Sequence, residues 1–335
     1  MPSFRGTAKF IASSTVVACI AVFFYRAFKR NWATIQAQHI QLDYRFLGLA
    51  LLCIVATYLV PTYGWRITLN SLSTTGKLSF TQSIAATNTS NLTKYIPGKI
   101  WTYALQMYWL AGAGFAKSLV VYVNVINLLI SLLTSFVLGI ALLLPFPDRF
   151  PLTLTLGSLV ILLALDVATL KFHDAAFKWL IALHNKLFKR NLAYFQISTR
   201  LVVDLHVLHL VGNAAFGVAA YFVCLGIGYS VQLREAPLLM ASLLLSDTIA
   251  VLAVIVPGGL GVREGIMYAM LGGAASGPLA LTLPVATRII HMIVDVGLGG
   301  TALRLLRNLQ TGKDRVSGAV DVPPPEGRAT DAKRP

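Results

Sequence analysis

Eight stretches of the chain are mostly apolar over a long run: 8–27, 46–64, 118–144, 151–171, 201–225, 236–256, 261–277 and 281–304. A helix that crosses hydrocarbon needs about 20 mostly apolar residues, so each stretch predicts a span. The seventh is short and carries charge, which makes it the weakest. Segment 80–112 departs from the pattern. Residues 79–93 hold too many Ser, Thr and Asn to face lipid, Pro97-Gly98 stops one element, and 101–110 starts another. This predicts a re-entrant hairpin that enters and leaves on one side. The expected fold is all-α: a polytopic membrane helix bundle with interrupted or re-entrant helices.

Two proline-glycine breaks interrupt the apolar runs, Tyr95-Ile96-Pro97-Gly98-Lys99-Ile100-Trp101 and Val256-Pro257-Gly258-Gly259-Leu260-Gly261-Val262-Arg263-Glu264-Gly265, 160 residues apart. Lipid offers no partners to backbone groups freed at membrane depth. Unwound segments are therefore tolerated where they are buried in protein or line a wet cavity. Each break follows a small polar pair (Ser90-Asn91, Ser246-Asp247) and precedes a basic residue. Interrupted segments at corresponding places in two halves are a mark of repeat-built transporters, so a two-fold internal repeat is a candidate organisation.

Composition agrees with the pattern. The chain is 56% hydrophobic and 12% charged, against about a quarter charged in soluble domains. The formal charge of +15 sits mainly in loops and in the C-terminal tail. It reads as topological and lipid-surface charge and gives no support to nucleic-acid binding. With the N-terminus inside, twenty basic residues fall on the cytoplasmic side and six outside, which predicts both termini in the cytoplasm. Residues 174–190 have apolar positions at helical spacing and added lysines, predicting an amphipathic helix on the cytoplasmic leaflet. The expected domains are a transmembrane unit over 1–307 and a disordered cytoplasmic tail over 308–335, Pro-rich at Pro323-Pro324-Pro325. Cys19, Cys53 and Cys224 all lie in apolar runs and suggest packing residues.

Charge inside spans is costly, about 2.5–3.5 kcal/mol per residue on insertion scales, and so marks candidate sites. Arg263 is suited to hold a phosphate through its planar guanidinium, with Glu264 either its partner when no ligand is bound or a contact for a cationic head group. Lys94 and Lys99 flank the first break as point charges. Arg288, His291 and Asp295 share one face of the last helix and predict a polar stripe turned inward. The candidate substrate-binding set is Lys94, Pro97, Gly98, Lys99, Trp101, Pro257, Gly258, Gly259, Gly261, Arg263, Glu264, Arg288, His291 and Asp295. His206 and His209 with Asp204, and Asp247, are further intramembrane polar groups, whereas Asp166 is placed to reach water at the end of its span. No third ligand completes a metal set with the two histidines. No nucleophile elbow, phosphate loop or metalloprotease helix occurs, so neither catalytic residues nor a cofactor are expected.

At Gly64-Trp65-Arg66, at Asn91 through Trp101 and at Pro257 through Gly265, the chain resembles the membrane region of bacterial lysyl-phosphatidylglycerol synthase–flippases and their stand-alone relatives. The resemblance covers about residues 5–307. It implies a domain of the bacterial inner membrane that moves aminoacylated phospholipid between leaflets. The aminoacyl transfer of full-length relatives belongs to a cytoplasmic domain for which this chain offers only about 30 residues, so that activity is not carried over. Many relatives continue the first break to an acidic residue, whereas Lys99-Ile100-Trp101-Thr102 has none. Stand-alone members are linked to glycan assembly, which keeps a polyprenyl-linked sugar open beside an anionic phospholipid. The resulting expectation is a non-enzymatic lipid transporter, downhill or proton-coupled through Glu264, Asp295 and His291, with a homodimer left open. The alternative is a membrane partner of a glycosyltransferase or lipid-modifying enzyme, docked on the basic 171–200 surface.

Overall fold

The computed structural model describes Tyr25, Lys29, 41–95, 100–188, 193–253, Val256, 259–272 and 277–318, with side chains to Leu305 in the last helix. Apart from Tyr25, the predicted first span lies outside the described residues, as do the break residues Pro97, Gly98, Lys99, Pro257 and Gly258. Nine α-helices are described: α1 Tyr44–Leu72, α2 Phe80–Asn91, α3 Ile100–Gly112, α4 Lys117–Ala141, α5 Leu152–Phe188, α6 Thr199–Gly226, α7 Ala236–Leu252, α8 Val262–Gly272 and α9 Gly277–Gly318. No strand occurs among the described residues. Six helices (α1, α4, α5, α6, α7 with the turn before it, and α9) are long and apolar enough to cross a membrane. The chain is a multi-pass helical membrane protein.

Three expectations change. The seventh predicted span is only the 11-residue α8, about half a bilayer core at 1.5 Å per residue. The fourth span and the amphipathic segment form one helix, α5, bent at Phe172 (φ −116°, ψ 19°). The last helix runs to Gly318, past the predicted start of the tail at 308, because no proline interrupts it before Pro323.

Local chemistry explains the elements that hydropathy alone leaves unclear. Helix α2 starts at a capping box in which Ser79 and Gln82 satisfy each other's backbone N–H groups. Its hydroxyls turn inward: Ser83, Thr87 and Ser90 donate to carbonyls one turn back, at 2.9, 2.8 and 2.7 Å. A helix too polar for lipid can thus be buried with these three donors met, though the Thr89 hydroxyl is buried without a partner. The Gly64-Trp65-Arg66 motif is structural. A Cβ at Gly64 would lie 3.2 Å from Leu205, and Arg66 Nε donates to the Leu78 carbonyl at 2.9 Å, tying α1 to the start of α2.

The order long helix, broken hairpin, long helix occurs twice: α1, α2/α3, α4 and then α6, α7/α8, α9. The two leading helices pack antiparallel. Asp43 N–H bonds the Gly226 carbonyl (3.0 Å) at one end, and Gly64 meets Leu205 at the other. The hairpins therefore enter from opposite ends of the bundle. Trp65, Leu78, Leu110, Phe115 and Leu119 cluster where the first hairpin opens. Val223, Leu238, Leu271 and Leu279 cluster where the second opens. Each hairpin rests on the closing helix of the other half, α2 on α9 and α7 on α4. The seats match. Gly139 faces Leu245 and Gly299 faces Leu92, each so closely that a Cβ would sit 2.6 or 2.5 Å from the leucine. Four residues before each glycine lies a polar tie: Ser135 to Thr248 (2.6 Å) and Asp295 to Lys94 (2.7 Å). This is the arrangement of an inverted repeat.

Candidate functional site

Where the two hairpins break, the halves enclose a cavity of about 400 Å³. Its wall is built from matched positions. Tyr103, Leu128 and Ser131 of the first half stand 160 residues before Arg263, Arg288 and His291 of the second, and Tyr58 and Pro61 stand 155 before Asn213 and Phe216. Lys94, Asp247, Gly259 and Asp295 also line it.

Helix α8 shows how the local sequence sets this wall. Gly259 and Gly261 take φ of +64° and +77°, which an L side chain rarely adopts. Ala250 would sit 2.7 Å from a Cβ at Gly259, so only glycine lets the chain turn back there. Glu264, in the first turn of α8, folds back to accept the Gly261 N–H at 2.6 Å and complements the helix N-terminus. Its other oxygen pairs with Arg288 at 3.0 Å. This corrects the expected Arg263–Glu264 pair. Successive residues on a helix point about 100° apart, so Arg263 turns instead to α7 and α9. Its Nη1 lies 3.5 Å from Asp247 and donates to His291 Nδ1 at 3.1 Å. The guanidinium also sits over the Phe216 ring, 5.6 Å from its centre.

Opposite Arg263, Lys94 at the end of the first hairpin's inward arm pairs with Asp295 at 2.7 Å and donates to Tyr58 at 3.1 Å. Tyr58 in turn donates to Asp295. Arg263, Glu264 and Asp295 are 5%, 7% and 2% exposed, yet each has an opposite charge beside it, as buried charge requires. One group is incomplete. The Nε and Nη2 atoms of Arg263 are buried without a hydrogen-bond partner. They form one edge of the guanidinium, the side-on fork that grips phosphate or carboxylate through two parallel bonds.

The structure brings Lys94, Gly259, Arg263, Arg288, His291 and Asp295 to the cavity, with Glu264 directly behind Arg288. Gly261 acts through its backbone bond to Glu264. Trp101 is not part of the lining and is 49% exposed; its neighbours Thr102 and Tyr103 take that place. The hydroxyl and amide groups of Tyr58, Asn91, Ser131 and Asn213 were not foreseen as lining. A polar residue isolated in an apolar span, as Asn213 is, was the available signal. Asp166 does not simply reach water: it lies 3.1 Å from His206 Nε2. Among the described residues no cluster of three or more His, Cys, Asp or Glu could hold a metal ion. The free thiols Cys53 and Cys224 sit among packed helices, apart from the cavity.

No curated protein and no solved structure matches the chain significantly. The family model described as the lysylphosphatidylglycerol synthase TM region matches residues 10–299, spanning both hairpins and the cavity between them, and the chain belongs to that family.

Proposed function

We propose that the protein is a lipid transporter of the bacterial inner membrane, taking the phosphate-bearing head group of an anionic phospholipid or a lipid-linked sugar into the mid-bundle cavity while the acyl or prenyl chains stay in the bilayer. The observation that carries this reading is the unpartnered, buried Nε/Nη2 edge of Arg263, a bidentate phosphate fork on a residue that lines a polar cavity. An unpaired buried donor is costly, by about 1–3 kcal/mol, so an acceptor supplied by a ligand gains that much on arrival. Membership of a family of synthase membrane regions supports a lipid as the ligand. The inverted halves support alternating exposure of the cavity by rocking one half against the other.

The cavity wall divides the work. Arg263 receives phosphate, while Tyr58, Asn91, Ser131 and Asn213 offer hydroxyl and amide groups to the rest of a glycerol or sugar head group. The test is reconstitution in vesicles containing a head-group-labelled phosphatidylglycerol, with a membrane-impermeant quencher reporting movement between leaflets. Wild-type protein accelerates loss of asymmetry and Arg263→Ala does not. Equal movement by both proteins defeats the reading.

A further inference from the structure

The three ion pairs at the cavity are not held alike. Lys94 and Asp295 meet at 2.7 Å, and the Asp295 side chain is fully buried and also accepts from the Tyr58 hydroxyl. Glu264 meets Arg288 at 3.0 Å, accepts the Gly261 N–H at 2.6 Å and has a side chain only 9% exposed. Asp247 differs from both. Its carboxylate comes no nearer to Arg263 Nη1 than 3.5 Å, and its side chain is 39% exposed. Among the described residues it accepts no hydrogen bond. A charge-assisted N–H···O bond closes to about 2.7–2.9 Å, so this contact is attraction without a bond.

Arg263 does not depend on Asp247 for its position. Its Nη1 donates to His291 Nδ1 at 3.1 Å, and its guanidinium lies 5.6 Å from the centre of the Phe216 ring. An arginine only donates, so His291 Nδ1 is the acceptor, the ring hydrogen sits on Nε2 and the imidazole is neutral. His291 and Phe216 therefore fix where the guanidinium is, and Asp247 supplies the opposite charge beside it. Neither break offers a substitute: 95–101 contains no acidic residue, and 256–265 contains only Glu264, which is committed to Gly261 and Arg288. Asp247 is on α7 and Arg263 on α8, so their contact spans the second break.

We propose that Asp247 is the exchangeable counter-ion of Arg263: a phosphate-bearing head group displaces it on entry, and its return expels the head group. This rests on the transport reading given above, in which Arg263 takes the phosphate. A phosphate on the Nε/Nη2 edge puts a second anion on one guanidinium, and like charges so close repel. Of the two, the carboxylate yields, because no hydrogen bond holds it and its exposed side chain can turn into the cavity it lines. His291 keeps Arg263 in place during the exchange. One anion replaces another, so the buried guanidinium is never left without a counter-charge. The need for such a device is general to transport: a site must bind well enough to load and weakly enough to empty. A fork with no competing anion would load and stall.

The experiment uses the full chain in two settings. In detergent, dihexanoyl-phosphatidylglycerol is titrated calorimetrically into wild-type protein, Asp247→Asn, Asp247→Glu, Arg263→Ala and the Arg263→Ala/Asp247→Asn double variant. In vesicles, the maximal rate of labelled phosphatidylglycerol movement is measured for the first three. Asp247→Asn should bind about fivefold tighter, the upper end for a partly exposed ion pair, and move lipid more slowly at saturation. Asp247→Glu should restore both values toward wild type. In the Arg263→Ala background Asp247→Asn should change binding by nothing, because the carboxylate acts through the guanidinium. Unchanged or weaker binding by Asp247→Asn overturns the proposal, as does equal tightening without Arg263, which would make the effect a general field. Failure of Asp247→Asn to fold, read by thermal unfolding, overturns it too by making Asp247 a fixed structural partner. Wild-type protein that binds the lipid and moves none defeats the transport reading and the release step with it, while the binding comparison still decides displacement.

Discussion

The two halves share a scaffold and differ in chemistry. Both seat a broken hairpin on the other half's closing helix through a glycine–leucine contact and a polar tie one turn earlier. In one seat the tie is a pair of hydroxyls, Ser135 and Thr248; in the other it is the Lys94–Asp295 ion pair with Tyr58. The same contrast runs round the cavity, where Tyr103, Leu128 and Ser131 face Arg263, Arg288 and His291. Apart from Lys94, the first half supplies neutral surface, and the second half supplies the other charged groups, Asp247, Arg263, Glu264, Arg288 and Asp295. Matched packing holds a symmetric frame, and the unmatched side chains turn that frame into a site with a charged wall and a neutral one.

This contrast can be tested at matched positions, taking the largest effect first. Arg263→Ala should lower lipid movement about tenfold to a hundredfold, the loss of hydrogen bonds to a charged group worth about 1.5–3 kcal/mol. Tyr103→Ala, at the matched place, should lower it less than about threefold, below 1 kcal/mol. Initial rates in the vesicle assay measure both, and equal losses would mean that the walls are not specialised. Next come the seats. Lys94→Ala removes the cation beside buried Asp295 and should cost about 2–3 kcal/mol, the low end for a broken buried pair because the Lys94 side chain is 35% exposed and the Tyr58 hydroxyl still donates to Asp295. Adding Asp295→Asn should recover part of that loss. Thermal unfolding in detergent reads both.

Gly139→Ala and Gly299→Ala should each cost about 1–2 kcal/mol by crowding the seated leucine, and by similar amounts. A large inequality would show that the frame is less symmetric than its contacts. The smallest effect is expected for Ser135→Ala, about 0.5–1.5 kcal/mol for one hydroxyl bond. If it matches Lys94→Ala, the charged tie has no special weight.

The elements of the site were readable where chemistry forces the pattern. The Pro97-Gly98 step in an apolar run marked the first hairpin, whereas the arms of the second carried the pattern of two spans, and the spacing of Arg288, His291 and Asp295 marked an inward face. What could not be read was partner choice. Arg263 and Glu264 are neighbours in sequence, yet helix geometry turns them to different helices, and the carboxylate is drawn back to Gly261 and across to Arg288. Whether Trp101 or Tyr103 meets the cavity depends on the rotational phase of α3, which follows from how the chain leaves the break and not from residue type. The Asp166–His206 contact depends on how α5 packs beside α6, and no periodicity within either helix reports that.

The exchanged seating of the hairpins also constrains the order of biogenesis. Lys94 is synthesised 201 residues before Asp295, and the glycine socket for Leu92 arrives only with α9. The first hairpin therefore waits in the nascent chain with an unmet charge until the last helix is inserted. Ribosome-bound chains stopped before α9 should expose this arm to proteases, and completed chains should shield it.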